Sequence, residues 1–290
     1  MGLRTKFNLA LIVICAMGLG VTGFVSYQML QRNARDEVVQ HAGIMMEAAV
    51  AVGGYTVKQV KPYLEMQLQR GFLPQTVGSF AAIETFNALR SRYPDFKYRE
   101  AALNPTNLDN RAVDWEADIV HAFRNNPSKT EVIGERDTPN GKALYLARPI
   151  QIKDKACLSC HSTPAEAPAS MLRLYGTVNG FGWKPDEIVG AQIVSIPMFL
   201  PMAKAEAAFY IFMGSLVGIF LALFVILNLM LHFVVIRPLA NMARAADAIS
   251  TGNLTLLDLP VPGKDEVSIL ARAFNRMRRS LEKAMKMMEE

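Results

Sequence analysis

The chain has 290 residues, 51% of them hydrophobic, three cysteines and a formal net charge of +5. A mean hydropathy of +0.17 is too high for an ordinary soluble protein, and the excess is localised. The basic residues are scattered and paired with acids, so the positive balance does not mark a nucleic-acid binder. No Gly-rich phosphate loop, His-Glu-x-x-His pair or nucleophile elbow occurs, and the chain reads as a non-enzyme.

From Phe7 to Gln31 there is no Asp, Glu, Lys or Arg. A run of that length exceeds the roughly 20 residues a helix needs to cross a bilayer. Its apolar stretch is longer than a typical signal-peptide h-region, and no small-x-small site clearly ends it. Cys15, inside the run, reads as an ordinary buried thiol. Ala207–Ile236 is equally free of charge and predicts a second span. Arg4 and Lys6 precede the first span, and Arg237 and Arg244 follow the second. By the positive-inside rule both ends are cytoplasmic. The expected division is 1–31 for the tip and first span, 32–206 outside, 207–236 for the second span and 237–290 inside. The outside segment is periplasmic if the cell is bounded by two membranes.

Residues 34–70 predict a long helix continuing out of the first span, loosened near Gly53-Gly54 and Pro62. His41 shares a face with Val38 and Met45 at helical spacing, and Met46 lies one position round. Residues 78–92 and 112–125 predict shorter helices. His121 falls on the polar side of the second of these, with Asp114 and Asp118. Strands are predicted over Phe96–Leu103, Glu131–Arg136, Ala143–Ile152 and Ile188–Ile196. Asn140-Gly141 predicts a two-residue hairpin turn. Helices with a sheet of short antiparallel strands define an α+β domain of PAS-like kind.

The run Cys157-Leu158-Ser159-Cys160-His161 follows the third strand. It has the spacing that fastens a c-type haem. Two thiols three residues apart reach the vinyl groups of one porphyrin, and the next histidine presents a ring nitrogen to iron. Such attachment is completed outside a bacterial inner membrane, in agreement with the topology drawn from charge. A zinc site, a thioredoxin-like dithiol and a structural disulfide are the other uses of Cys-x-x-Cys. Zinc wants four ligands, often two such pairs, and the third cysteine is in the membrane. The expected cofactor is one covalent haem c per chain, with His161 as proximal ligand. His41, Met45 or Met46 is the expected distal ligand, with Met171 in the haem loop a further candidate. Tyr145 and Arg148 are candidates to flank the cofactor, Arg148 by pairing with a propionate. Trp183 reads as ordinary packing.

Across the Arg237-Pro238 junction, the residues Val235, Leu239, Met242, Ala246 and Ile249 recur at spacings of four and three. Gly252 stops that helix. A connector carries Leu254, Leu256, Leu259 and Val261. A second helix from Asp265-Glu266 carries Val267, Leu270, Phe274, Met277, Leu281, Ala284 and Met288. One chain cannot bury both seams, which predicts a parallel four-helix bundle in a homodimer. Gly214 and Gly218 form a small-xxx-small pair that supports it.

Arg237-Pro238, the connector, Asp265-Glu266-Val267 and Ala273-Phe274-Asn275-Arg276-Met277 resemble a HAMP domain. The outside segment resembles membrane-anchored c-type haem sensors of PAS-like fold. That resemblance rests on Tyr145–Ile150, the haem pentapeptide, Tyr175-Gly176, Asn179–Lys184 and Val189–Ile193. Some relatives use a cysteine as distal ligand, and this domain has no spare one. The resemblance implies haem-based transmembrane signalling, with redox state or a diatomic gas relayed through HAMP. The chain stops at Glu290, so the expected output is a separate cytoplasmic protein such as a kinase or chemotaxis protein. A membrane-anchored monohaem electron carrier is the alternative, and a haem-free small-molecule receptor a weaker one.

Overall fold

The computed structural model describes residues 2–252, 258–260 and 263–289. The chain divides into two compact units, Tyr27–Ala208 and the remainder, Met1–Ser26 with Phe209–Glu290. Helical stretches within Leu3–Arg70 and Phe199–Ser250 are long and apolar enough to cross a membrane.

Helix α1 spans Leu3–Tyr55 without a break, through both Gly53 and Gly54. The expected loosening comes later, as a π turn at Thr56–Val60 and a 3-10 turn at Lys61–Leu64 that carries Pro62. The glycine pair is a close approach instead: a Cβ on Gly78 would lie 2.8 Å from the Gly53 carbonyl oxygen. Helix α2 (Glu65–Arg70) then ends at Gly71, and α3 (Gly78–Leu89) follows.

Among the described residues one antiparallel sheet forms from β1 (Lys97–Ala102), β2 (Val132–Thr138), β3 (Gly141–Gln151) and β4 (Ile188–Pro197), in the order β1-β4-β3-β2. Helix α4 (Asp114–Asn125) lies between β1 and β2 in sequence, and the Val113 N–H is capped by Glu116 at 3.1 Å. The hairpin turn between β2 and β3 is Pro139-Asn140, one residue earlier than the sequence indicates, since Thr138 faces Gly141. Proline presets the first turn position and glycine suits the last, where Gly141 has φ +96.

Alternation along the strands builds two cores. Leu144, Leu146, Val194 and Ile196 point to the face covered by Val38, Ala42, Met46 and Ala49 of α1 and Ala82 and Phe86 of α3. Their neighbours Ala147, Ala191 and Ile193, with Ala101, meet Ile119, Val120 and Phe123 of α4 on the opposite face. The small alanines let α4 sit close to the sheet. Between β3 and β4 run helix α5 (Leu158–His161) and helix α6 (Ala169–Tyr175). The loop is closed at its base by Ile152, whose N–H donates to Glu187 O at 2.9 Å and whose carbonyl accepts from Asp186 N–H at 2.9 Å.

In the other unit, the early turns of α1 meet helix α7 (Phe199–Met230), with Gly18 facing Phe220 and Gly23 facing Met213. A π stretch (Leu231–Ile236) leads into helix α8 (Arg237–Ser250), and Pro238 sits in its first turn. A proline ring clashes with the carbonyl four residues back, and the widened π turn relieves it. Helix α9 spans Glu266–Glu289. The connector residues Leu254, Leu256 and Val261 lie outside the described residues. Leu259 is held by Asn275, whose side-chain oxygen accepts from Leu259 N–H and whose amide donates to Leu259 O, both at 2.9 Å. Arg278 and Arg279 both engage Asp258 and hold its carboxyl below the usual range. Leu239, Leu270, Met277 and Leu281 stay exposed in one chain.

Candidate haem-attachment site

The pentapeptide is shaped by a local turn. Asp154 accepts the Ala156 N–H at 2.8 Å, and Ser159 Oγ donates to Ala156 O at 2.7 Å. Cys157 caps α5, so Cys157 and Cys160 lie one turn apart, both unbridged. Burial and the Asp154 carboxylate push the Cys157 thiol up, while Lys61 works the other way. Among the described residues no three His, Cys, Asp or Glu side chains converge as a metal cluster requires.

His161 is held from two sides. Its Nδ1 lies 2.8 Å from the Gly180 carbonyl oxygen and 3.3 Å from Thr106 Oγ1. A carbonyl only accepts, so Nδ1 carries the proton and Nε2 keeps its lone pair for a metal. The ring stacks on Trp183 at 4.0 Å between centroids and 14° between planes. The backbone is pinned as well: Trp183 N–H donates to His161 O at 3.2 Å and Gly182 N–H to Ser162 O at 2.9 Å. Burial pushes the imidazole below its usual range, so at neutral pH it is uncharged and ready to ligate. One fixed tautomer, a neutral ring and two free thiols fit a c-type haem.

Trp183, which the sequence reads as ordinary packing, packs on the His161 ring itself, a partner the sequence did not indicate. Gly180, Thr106 and Asn104 were missed as well. Asn104 accepts from Gly180 N–H at 3.2 Å and donates to Phe181 O at 3.4 Å. The glycines of Asn179–Lys184 were visible, but not the histidine they serve.

The remaining candidates lie elsewhere. Tyr145 packs against Trp115 at 5.6 Å between ring centroids, over the α4 side of the sheet. Arg148 is engaged by Glu47 at 2.7 Å and Glu131 at 2.9 Å, because α1 brings a carboxylate across the sheet to it. Met45 and Met46 are buried in the α1 core, and Met171 is buried in α6. His41 is exposed and lines a groove of about 410 Å³ with Val38, Phe96, Ile196, Phe199 and Lys204. His121 is exposed, as expected.

A second polar cluster lies on the α1 face of the sheet. Tyr98 donates to Glu100 at 2.6 Å, and Gln192 donates to the Tyr98 oxygen at 3.0 Å. Burial outweighs the bonds that Glu100 accepts from Tyr98 and Gln192 and raises its carboxyl above its ordinary value of 4.5. Between that value and the raised one, the folded protein binds more protons than the unfolded chain. Stability from this group is thus full at low pH and lost as pH rises through the raised value. Glu100→Gln has no proton to lose there, so its stability should fall less between pH 5 and pH 8 than that of the wild type. Thermal midpoints of both proteins at the two pH values check it; equal pH slopes would reject it.

Comparison with known proteins gives two matches. The family model described as Tll0287-like matches residues 31–197, and the HAMP domain model matches residues 230–283. A solved structure titled "Crystal structure of the cyanobacterial heme-protein Tll0287" is 18% identical, covering 40% of this chain and 69% of that one, with a TM-score of 0.35. No curated protein matches the chain.

Proposed function

We propose, from the premise that this chain belongs to the Tll0287-like family and carries a HAMP domain, that it is a haem-based transmembrane signalling protein and not an enzyme. The observation that carries the reading is His161, its Nδ1 proton directed at the Gly180 carbonyl and its ring stacked on Trp183. Cys157 and Cys160 are the thioether anchors and His161 the proximal ligand. Bound there, a c-type haem supplies an iron whose oxidation or ligation state changes with redox poise or a diatomic gas.

The chain's own residues do the rest. His161 holds one tautomer and one ring plane. The loop that carries it closes onto Ile152 and Asp186, at the adjoining ends of β3 and β4. Strand β4 ends at Pro197, and α7 begins at Phe199. A shift in the loop therefore has a short covalent route into the second span. The two arrangements of the HAMP helices must differ in energy between the two iron states, or nothing is relayed. The open apolar seam of α8 and α9 supports a homodimer. The basic residues Arg4, Lys6, Arg237 and Arg244 support a two-pass inner-membrane protein, termini inside and a PAS-like sensor domain in the periplasm. An electron carrier needs an anchor but not the HAMP pair, which favours signalling to a downstream output.

The test is a haem stain and absorption spectra of the full chain in detergent, oxidised, reduced and with carbon monoxide. Covalent haem supports the reading, and its absence from properly matured protein ends it.

For the distal position we favour α1, through His41, Met45 or Met46, and ligation from there requires a rearrangement. His41 lines a groove at the Pro197 end of β4 while the haem loop joins its Ile188 end, and Met45 and Met46 are packed in the core. Alanine at the true ligand should change the oxidised and reduced spectra and open the reduced iron to carbon monoxide. Unchanged spectra in His41→Ala, Met45→Ala and Met46→Ala would remove α1 from consideration.

A further inference from the structure

The end of β1 reaches the haem loop. Two residues beyond Ala102, Asn104 brackets one peptide unit: its oxygen accepts from Gly180 N–H at 3.2 Å, and its amide donates to Phe181 O at 3.4 Å. Two residues further, Thr106 packs against Gly180. A Cβ on Gly180 would lie 2.1 Å from Thr106 Oγ1 and 2.7 Å from its Cα. Thr106 Oγ1 also stands 3.3 Å from His161 Nδ1. Arg111 joins from the same segment, donating to Asn179 Oδ1 at 3.1 Å. The Gly180 carbonyl that accepts the histidine Nδ1–H hydrogen bond is thus aimed by residues of another element.

We propose that Asn104 and Thr106 are positioning residues for the proximal histidine, clamping Gly180 so that its carbonyl fixes the His161 tautomer and ring plane. The clamp also ties the imidazole to β1, which pairs along its whole length with β4, from Lys97 opposite Ser195 to Ala102 opposite Gly190. A hydrogen bond from Nδ1 makes the other ring nitrogen a stronger donor, and a stronger donor favours the oxidised metal. Loosening the clamp weakens that bond and raises the reduction potential.

This inference rests on the haem reading, and the experiment separates the two. The full chain is matured with covalent haem, and its midpoint potential is measured for wild type, Asn104→Ala, Asn104→Asp, Thr106→Val and Thr106→Ser. Asn104→Ala and Thr106→Val should each raise the reduced-to-oxidised ratio at fixed poise by roughly threefold to tenfold, as loss of one hydrogen bond implies. Tenfold corresponds to about 59 mV for one electron. Thr106→Ser keeps the hydroxyl and should return the potential to the wild-type value. Asn104→Asp keeps the acceptor for Gly180 N–H and should fall between wild type and alanine. A merely structural role would lower stability without this ordered set of potentials. Should Asn104→Ala carry no haem, the potentials of Thr106→Val and Thr106→Ser decide the matter. Haem-loaded variants with unchanged potentials overturn the clamp alone. Wild type without covalent haem overturns the haem reading and the clamp with it.

Discussion

Replacing Cys157 and Cys160 together by serine should leave the mature chain with no covalently held haem. A hydroxyl does not form the thioether, so both attachments are lost, and His161 alone gives a single reversible bond to iron. The double variant should give no haem stain on a denaturing gel and an intact mass equal to that of its bare polypeptide. Each single variant retains one possible thioether and should stain weakly. The fold itself should survive, since neither thiol belongs to the buried core. A double variant that still carries covalent haem would place the attachment elsewhere, and the proposed function would fall with it.

Gly180→Ala should be the most damaging single methyl addition in the haem loop. Its φ of +83 is a conformation that L residues resist. The added Cβ would also meet the Thr106 side chain and backbone, at 2.7 Å from Cα and 2.8 Å from N. Backbone on both sides cannot give way cheaply. Strain of about 1–3 kcal/mol combines with a similar overpacking cost, for a total of roughly 2–6 kcal/mol. At about 2–4 °C per kcal/mol for a domain of this size, the thermal midpoint should fall by on the order of 10 °C. Gly182 provides the control. It has a similar φ of +81, but a Cβ there meets nothing within 4 Å. Gly182→Ala should carry the strain and not the clash. Equal losses in the two variants would show that backbone strain, not contact with Thr106, makes Gly180 necessary.

Much of the fold was legible because local periodicity is a local property. The helical spacing of Val38 and Met45 marks one helix face, and α1 buries both, while His41, placed on the same face, is exposed. The strands expected over Ala143–Ile152 and Ile188–Ile196 likewise form, as Gly141–Gln151 and Ile188–Pro197. Legibility failed at single positions where packing outranks propensity. Gly53-Gly54 reads as a weak point, yet α1 runs through it because Gly78 packs against Gly53. The turn near Asn140-Gly141 moved by one residue because Pro139 is better preset for its first position. Arg148 reads as a partner for an anion, but nothing local announces that Glu47, 101 residues away, already supplies one.

The sequence alone determined the two apolar spans, the heptad seams of α8 and α9, and the Cys157–His161 spacing. Each is carried by residues within a few positions of one another, where the chain's own geometry dictates the outcome. Only the tertiary structure decided how His161 is held. Its partners Gly180 and Thr106 lie 19 and 55 residues away, and one of the bonds is made to a backbone carbonyl. The direction of a carbonyl depends on φ and ψ rather than on side-chain identity, and here Asn104 and Thr106 fix it from the far end of β1.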